Sequence, residues 1–157
     1  MSGKLAKEIK QTKPFSSPAE EAILNIQRTA SVLVQAMGEC LKPHGISETQ
    51  YNALRILRGA GAAGLACQEI GERMITRDPD ITRLLDRLEG RKLIERARST
   101  EDRRVVVTRI TAEGLKLLSS LDAEARELPK KVLGHLGEKK LRLLISLLER
   151  ARVLPDK

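Results

Sequence analysis

A chain of 157 residues with 41% hydrophobic content is of the size of one domain with its own core, and with one Phe, one Tyr and no Trp that core must be aliphatic. The formal net charge of +8 favours a polyanionic partner. The surplus sits at the two ends, however, and residues 66–114 hold eleven basic side chains against ten acidic ones, so bulk charge alone does not carry a nucleic-acid reading.

No apolar run approaches the roughly 20 residues that span a bilayer, and Met1-Ser2-Gly3-Lys4-Leu5-Ala6-Lys7 lacks the apolar core of a signal peptide. The expected location is cytoplasmic, with no membrane partner. Cys40 and Cys67 are too few for a disulfide scaffold, and with the scattered His44 and His135 they form no metal-ligand spacing, so neither metal nor cofactor is expected.

In chain order, residues 1–17 read as a basic tail or arm. Lys4, Lys7, Lys10 and Lys13 would form a stripe on a helix, with Leu5 and Ile9 as weak apolar anchors. A solvated tail is the plain reading, and an arm that touches phosphates or a partner subunit is the alternative. Ser17-Pro18-Ala19-Glu20 opens a helix through a serine cap, a proline at the first position and a glutamate three residues after the cap. Ile23, Ile26, Ala30, Leu33, Val34, Met37 and Leu41 give it a stripe wide enough for both a core and a partner. Ser47-Glu48-Thr49-Gln50 is a second capping box, followed by Tyr51, Leu54, Ile56 and Leu57. The run Gly59-Ala60-Gly61-Ala62-Ala63-Gly64 lacks the Gly-Lys-Ser/Thr ending of a phosphate loop and reads as a flexible connection. A short helix over 68–74, with Ile70 and Met74 inward, leads through the turn 75–77 into the segment around which the chain is organised.

That segment is Arg77-Asp78-Pro79-Asp80-Ile81-Thr82-Arg83-Leu84-Leu85-Asp86-Arg87-Leu88-Glu89. Asp78 suits an N-cap and Pro79 a first helical position, which predicts a helix start there. Ile81, Leu84, Leu85 and Leu88 recur at three- and four-residue steps on one face. Thr82, Arg83, Asp86 and Arg87 lie off it, so Arg83 and Arg87, with Thr82 and Arg77, present donors suited to base edges and phosphates. By itself such a face is as readily a solvated set of intrahelical ion pairs. Downstream, Leu93–Arg98 and Val105–Ile110 flank the polar run 99–104 and predict a β-hairpin bearing Arg96, Arg98, Arg103 and Arg104. Two helices joined tightly and then a basic hairpin is the order of a winged helix-turn-helix.

Thr111-Ala112-Glu113-Gly114 opens a further helix carrying Leu115, Leu118, Leu121 and Ala125, with a bend expected at Pro129. The last helix, about 138–153, contains Leu141, Leu143, Leu144, Ile145, Leu147 and Leu148 around most of its circumference. A terminal helix of a small domain cannot bury so many against its own core, so a second subunit is expected.

The series Thr82-Arg83-Leu84-Leu85-Asp86-Arg87-Leu88-Glu89, then Leu93-Ile94-Glu95-Arg96, then Asp102-Arg103-Arg104 ahead of Ile110-Thr111-Ala112-Glu113-Gly114 resembles the MarR family of bacterial transcriptional regulators. The resemblance covers about residues 18–153 as a single domain. It implies a mainly α fold with a small β-hairpin wing: a winged helix-turn-helix reading lobe, about 47–110, within a helical dimer whose dimerisation helices span about 18–42 and 111–153. It implies a ligand-responsive repressor that binds a near-palindromic double-stranded DNA operator as a homodimer, with Arg77, Thr82, Arg83 and Arg87 on the helix and Arg98, Arg103 and Arg104 on the wing touching DNA. Asp102 is assigned to shaping the wing by pairing with an arginine there, since an acid facing phosphate would be repelled. A small-molecule effector between reading and dimer lobes is implied as well. Two positions depart from the pattern: Lys92 stands where the family has the glycine that ends the recognition helix, and Ala66 where Ser or Thr caps the preceding one.

Two other classes compete. A thiol sensor would use Cys67, at a helix start, or Cys40, although cysteine is often a small buried hydrophobe. An enzyme would need a cluster of His, Ser, Cys and carboxylates, which the sequence does not offer, and a pure protein-interaction module would leave the arginine-bearing hairpin unexplained.

Overall fold

Side-chain caps start three long helices where the sequence places them. In the computed structural model, which describes residues 3–77 and 80–153, Ser17 Oγ accepts from Glu20 N at 3.2 Å and opens α2 (Pro18–Leu41). Ser47 Oγ accepts from Gln50 N at 3.2 Å while Gln50 Oε1 accepts from Ser47 N at 3.0 Å, a full capping box at the head of α3 (Glu48–Ala60). Thr111 Oγ1 accepts from Gly114 N at 3.1 Å and opens α6 (Ala112–Leu133). The other elements are α1 (Lys4–Glu8), β1 (Leu65–Ala66), α4 (Cys67–Arg73), α5 (Ile81–Gly90), β2 (Ile94–Arg98), β3 (Val106–Ile110) and α7 (Glu138–Ala151).

The hairpin forms as expected, with Arg96 opposite Thr108 and Arg98 opposite Val106. It is joined by a third strand that the sequence hid. The glycine-rich stretch is not a slack connection: α3 runs to Ala60, residues 61–63 make a 3₁₀ turn, and Leu65 and Ala66 pair antiparallel with Thr108 and Val107, giving the order β1-β3-β2. Gly64, at φ +67°, lies so close to β3 that a Cβ there would collide with the Thr108 carbonyl.

Leu54, Leu57, Ile70, Leu85, Leu88, Ile94, Leu118 and Leu121 are fully buried and join α3, α4, α5, the sheet and the first half of α6 into one aliphatic core, closed by Leu41 from the end of α2. Gly114 is what lets α6 dock on the sheet, since a Cβ there would run into the Leu93 carbonyl. α6 continues through Pro129 to Leu133; the proline does not end it. The N-terminal arm is not wholly solvated: α1 is helical, Leu5 is 3% exposed, and Glu8 meets Arg28 of α2 at 3.8 Å. In contrast to α3, α4 and α5, α2 fully buries only Leu41, and α7 fully buries no side chain.

Candidate nucleic-acid interface

The α5 helix divides as its sequence spacing dictates. Leu84, Leu85 and Leu88 are buried, whereas Thr82, Arg83, Asp86 and Arg87 are exposed. Its start is not the predicted one. Asp78 and Pro79 lie outside the described residues, and the helix begins at Ile81 with Asp80 as its cap, Oδ1 accepting from Arg83 N at 3.2 Å. The same carboxylate holds the Arg83 guanidinium, with Nε 3.2 Å from Oδ2. Arg83 is therefore held along the helix start by Asp80.

At the other end, Lys92 adopts φ +59°, Leu93 N donates to Leu88 O at 3.0 Å and Lys92 N donates to Glu89 O at 2.8 Å. This pair of bonds is a Schellman closure, which ordinarily uses glycine at the left-handed position. The chain keeps the closure and carries a lysine side chain in it. At α4 the missing hydroxyl at Ala66 leaves half a capping box, with Glu69 Oε2 accepting from Ala66 N at 2.8 Å.

The wing tip is a closed turn. Ser99 N donates to Val105 O at 2.8 Å, Arg98 Nη1 donates to Arg103 O at 2.9 Å, and Asp102 Oδ1 accepts from Arg104 N at 2.9 Å. Asp102 thus meets the backbone of Arg104 and not a guanidinium. Arg103 and Arg104 are exposed at the tip, as is Arg77 ahead of α5. Arg96 behaves differently from its three neighbours. Strand alternation puts it on the side of Ile94, facing α5, where Nη2 lies 2.6 Å from Asp86 Oδ1 and 2.5 Å from Glu89 Oε2, and Nε lies 3.0 Å from the same Glu89 oxygen. Hydrogen bonding to Arg96 holds the Glu89 carboxyl below its ordinary value, and hydrogen bonding to Glu89 and then Asp86 raises the guanidinium further. Arg96 thus ties α5 to the wing through Asp86 and Glu89. The signal was legible in principle, as two acids three residues apart on one helix followed by an arginine on the next strand.

A groove between the start of α3 and α5 brings Ser47, Thr49 and Gln50 alongside Arg83 and Arg87, polar neighbours that sequence spacing did not associate with them. The thiol alternative finds little support: burial, and then the Glu124 carboxylate, push the Cys40 thiol up, away from the thiolate that a sensor needs. Cys67 heads α4, a helix of seven residues, half-buried. Among the described residues no group of three His, Cys, Asp or Glu could hold a metal, and no helix is long and apolar enough to cross a membrane.

The MarR family profile matches residues 46–106, from the head of α3 to the start of β3. The crystal structure of a MarR transcription factor from Planctomyces limnophilus is 40% identical over 87% of this chain and 98% of that one, with a TM-score of 0.66. The chain belongs to the MarR family. As a MarR-family protein it is a DNA-binding transcriptional regulator, and its helix, hairpin and third strand are the winged helix of that family. The HTH-type transcriptional repressor MdtR of Bacillus subtilis (strain 168) is 34% identical over 100 residues, 61% of this chain and 63% of that protein. The S. aureus MepR–DNA complex is similar in fold, with a TM-score of 0.73 at 22% identity over 80% of this chain and 92% of that one.

Proposed function

We propose that this MarR-family chain acts as a homodimeric repressor that reads a near-palindromic operator, placing α5 in the major groove and the wing tip on the adjacent backbone or minor groove. The observation that carries the reading is the joint exposure of Thr82, Arg83 and Arg87 on α5 with Arg98, Arg103 and Arg104 on a wing tied to that helix by Arg96. Donors on a helix face supply base readout, and cations on the wing supply the phosphate term. Arg77 adds a cation just ahead of the helix. Asp102 shapes the tip through the Arg104 N–H, so that Arg103 and Arg104 project from it. Repression follows from occupancy, in keeping with MdtR, a relative named as a repressor.

The dimer is argued from α2 and α7. Ile23, Ile26, Val32 and Val34 on α2, and Leu143, Ile145 and Leu147 on α7, are all more than two-fifths exposed in the single chain. A second copy is the economical cover for two amphipathic helices that carry so much apolar surface. Residues 18–42 and 111–153 would then be the dimerisation helices of a single domain spanning 18–153, and 47–110 its reading lobe, in the cytoplasm.

Effector control fits a cleft of about 80 Å³ between the end of α2 and the reading lobe, walled by Met37, Tyr51, Met74 and Ile75, with Asn52 and Arg55 as polar groups. Asn52 Oδ1 accepts from Ile75 N at 2.9 Å, so an occupant would bear directly on the turn that leads into α5.

Duplex titration at several salt concentrations tests the DNA reading. Wild-type affinity should fall steeply as salt rises, and Arg104→Ala should weaken binding broadly while lowering the salt slope by about one unit, because one fewer phosphate contact releases fewer counterions. Equal affinity and an equal slope for the variant would remove the wing from the interface.

A further inference from the structure

The C-terminal end of the recognition helix is tied to the end of α2. Arg91, the residue that caps α5, donates from Nη1 to the Gly45 carbonyl at 2.6 Å and from Nη2 to the His44 carbonyl at 3.4 Å, 46 and 47 positions back in the sequence. Those two carbonyls belong to the turn that ends α2 and leads to α3, a 3₁₀ turn over Lys42–His44 closed by Gly45 at φ +65°. The left-handed glycine turns the chain sharply between α2 and α3. The His44 side chain approaches the other lobe: Nδ1 lies 3.5 Å from Ser120 Oγ on α6, while Ser120 donates its own proton to Leu117 O at 2.7 Å. One short turn therefore touches α2, α6 and the recognition helix.

We propose that Arg91 is a positioning strut, which transmits the placement of the dimerisation helix α2 to the recognition helix α5 and so fixes the distance between the two reading helices of the dimer. The chemistry suits that role. A guanidinium is a rigid planar fork, so bonds to two successive carbonyls fix an orientation as well as a distance, which a lysine ammonium cannot do. The cation also sits at the negative end of the α5 dipole, where its charge is favoured. Any movement of α2 relative to the core shifts the Gly45 and His44 carbonyls, and Arg91 carries that shift into the one element that enters the groove. Arg91 is exposed and outside the buried core, so its removal leaves the core itself intact.

This rests on the dimeric DNA-reading proposed above, and the test separates the two. An operator is first selected from random duplexes with the full-length wild-type protein. Binding is then measured on that operator and on versions with one base pair added to or removed from the spacer between half-sites, for wild type, Arg91→Ala and Arg91→Lys. Wild type should lose affinity strongly on altered spacers. Both variants should reduce that spacing penalty by about fivefold or more, with base preference inside each half-site unchanged. A destabilised protein, or one that has only lost a phosphate contact, weakens alike on every spacer, and that outcome overturns the strut. Retention of the full spacing penalty by both variants, or indifference of wild type to spacing, overturns it as well. Failure of wild type to select any duplex would instead overturn the DNA reading itself.

Discussion

Lys92 holds a side chain in a backbone region that costs an L-residue about 1 kcal/mol or more, and that glycine enters freely. Lys92→Gly keeps the two closing bonds, from Lys92 N to Glu89 O and from Leu93 N to Leu88 O, and removes the strain. It should stabilise the protein by about 1 kcal/mol, less what the freer unfolded chain offsets, read as a rise in the urea midpoint. A lowered midpoint would mean that the lysine side chain has a stabilising partner. This departure was visible in the sequence because the family resemblance marks a glycine there and sterics says what its loss must cost. The choice between Asp78 and Asp80 as cap was not visible. Both are good caps by residue type, and the apolar spacing of Ile81, Leu84, Leu85 and Leu88 fixes the phase of the helix without fixing where it begins. Arg96 shows a similar limit: four arginines around one hairpin are equal by composition, and alternation puts Arg96 and Arg98 on one face of β2, where Arg96 meets Asp86 and Glu89 of α5 and Arg98 instead donates to the Arg103 carbonyl.

Between elements, the wing and α5 are tied together through Arg96. Glu89 is held below the ordinary glutamate value of 4.5 by its bond to Arg96. A carboxyl whose folded pKa is depressed contributes stability that is fully present above its unfolded value and is lost as pH falls through the folded one. Wild-type urea midpoints should therefore decline as pH drops below about 4.5, and Glu89→Gln, less stable near neutrality, should show a shallower decline over that acid range. Parallel curves for the two proteins would show that the tie contributes nothing to folding. The hairpin and every long helix were legible from periodicity and caps. The third strand was not, because two residues, Leu65 and Ala66, carry no alternation, and their pairing is decided by where the Gly61–Gly64 turn sets them down on β3. At Pro129 one missing donor does not end α6, which is continuous from Ala112 to Leu133.

For the whole molecule, the asymmetry of burial is the main feature. One core is shared by α3, α4, α5, the sheet, the first half of α6 and the end of α2, whereas Leu143 and Leu147 on α7 remain 60% and 51% exposed in the single chain. Because these two face water in the monomer, Leu143→Arg with Leu147→Arg should leave the monomer fold intact and disrupt the dimer, since two charges would have to be buried at the contact. Sedimentation should show monomers with unchanged helical circular dichroism. A dimer as tight as wild type would place the interface elsewhere. The leucine content of the last helix made this exposed apolar surface legible in the sequence. The lobe-to-lobe ties were not, because Arg58 with Asp122, at 2.9 Å, and Arg91 with Gly45 link residues far apart in the chain.

On the proposed function, α5 reads base sequence as one of a symmetric pair. Binding-site selection on random duplexes, run in parallel on wild type and Arg83→Ala, decides whether it does. Wild type should return a near-palindrome with half-sites centred about 10 base pairs apart or near a multiple of that. Arg83→Ala should lose roughly 1 to 3 kcal/mol of affinity and relax preference at one position in each half-site. A wild-type motif without two-fold symmetry, or an identical motif for the two proteins, would contradict it.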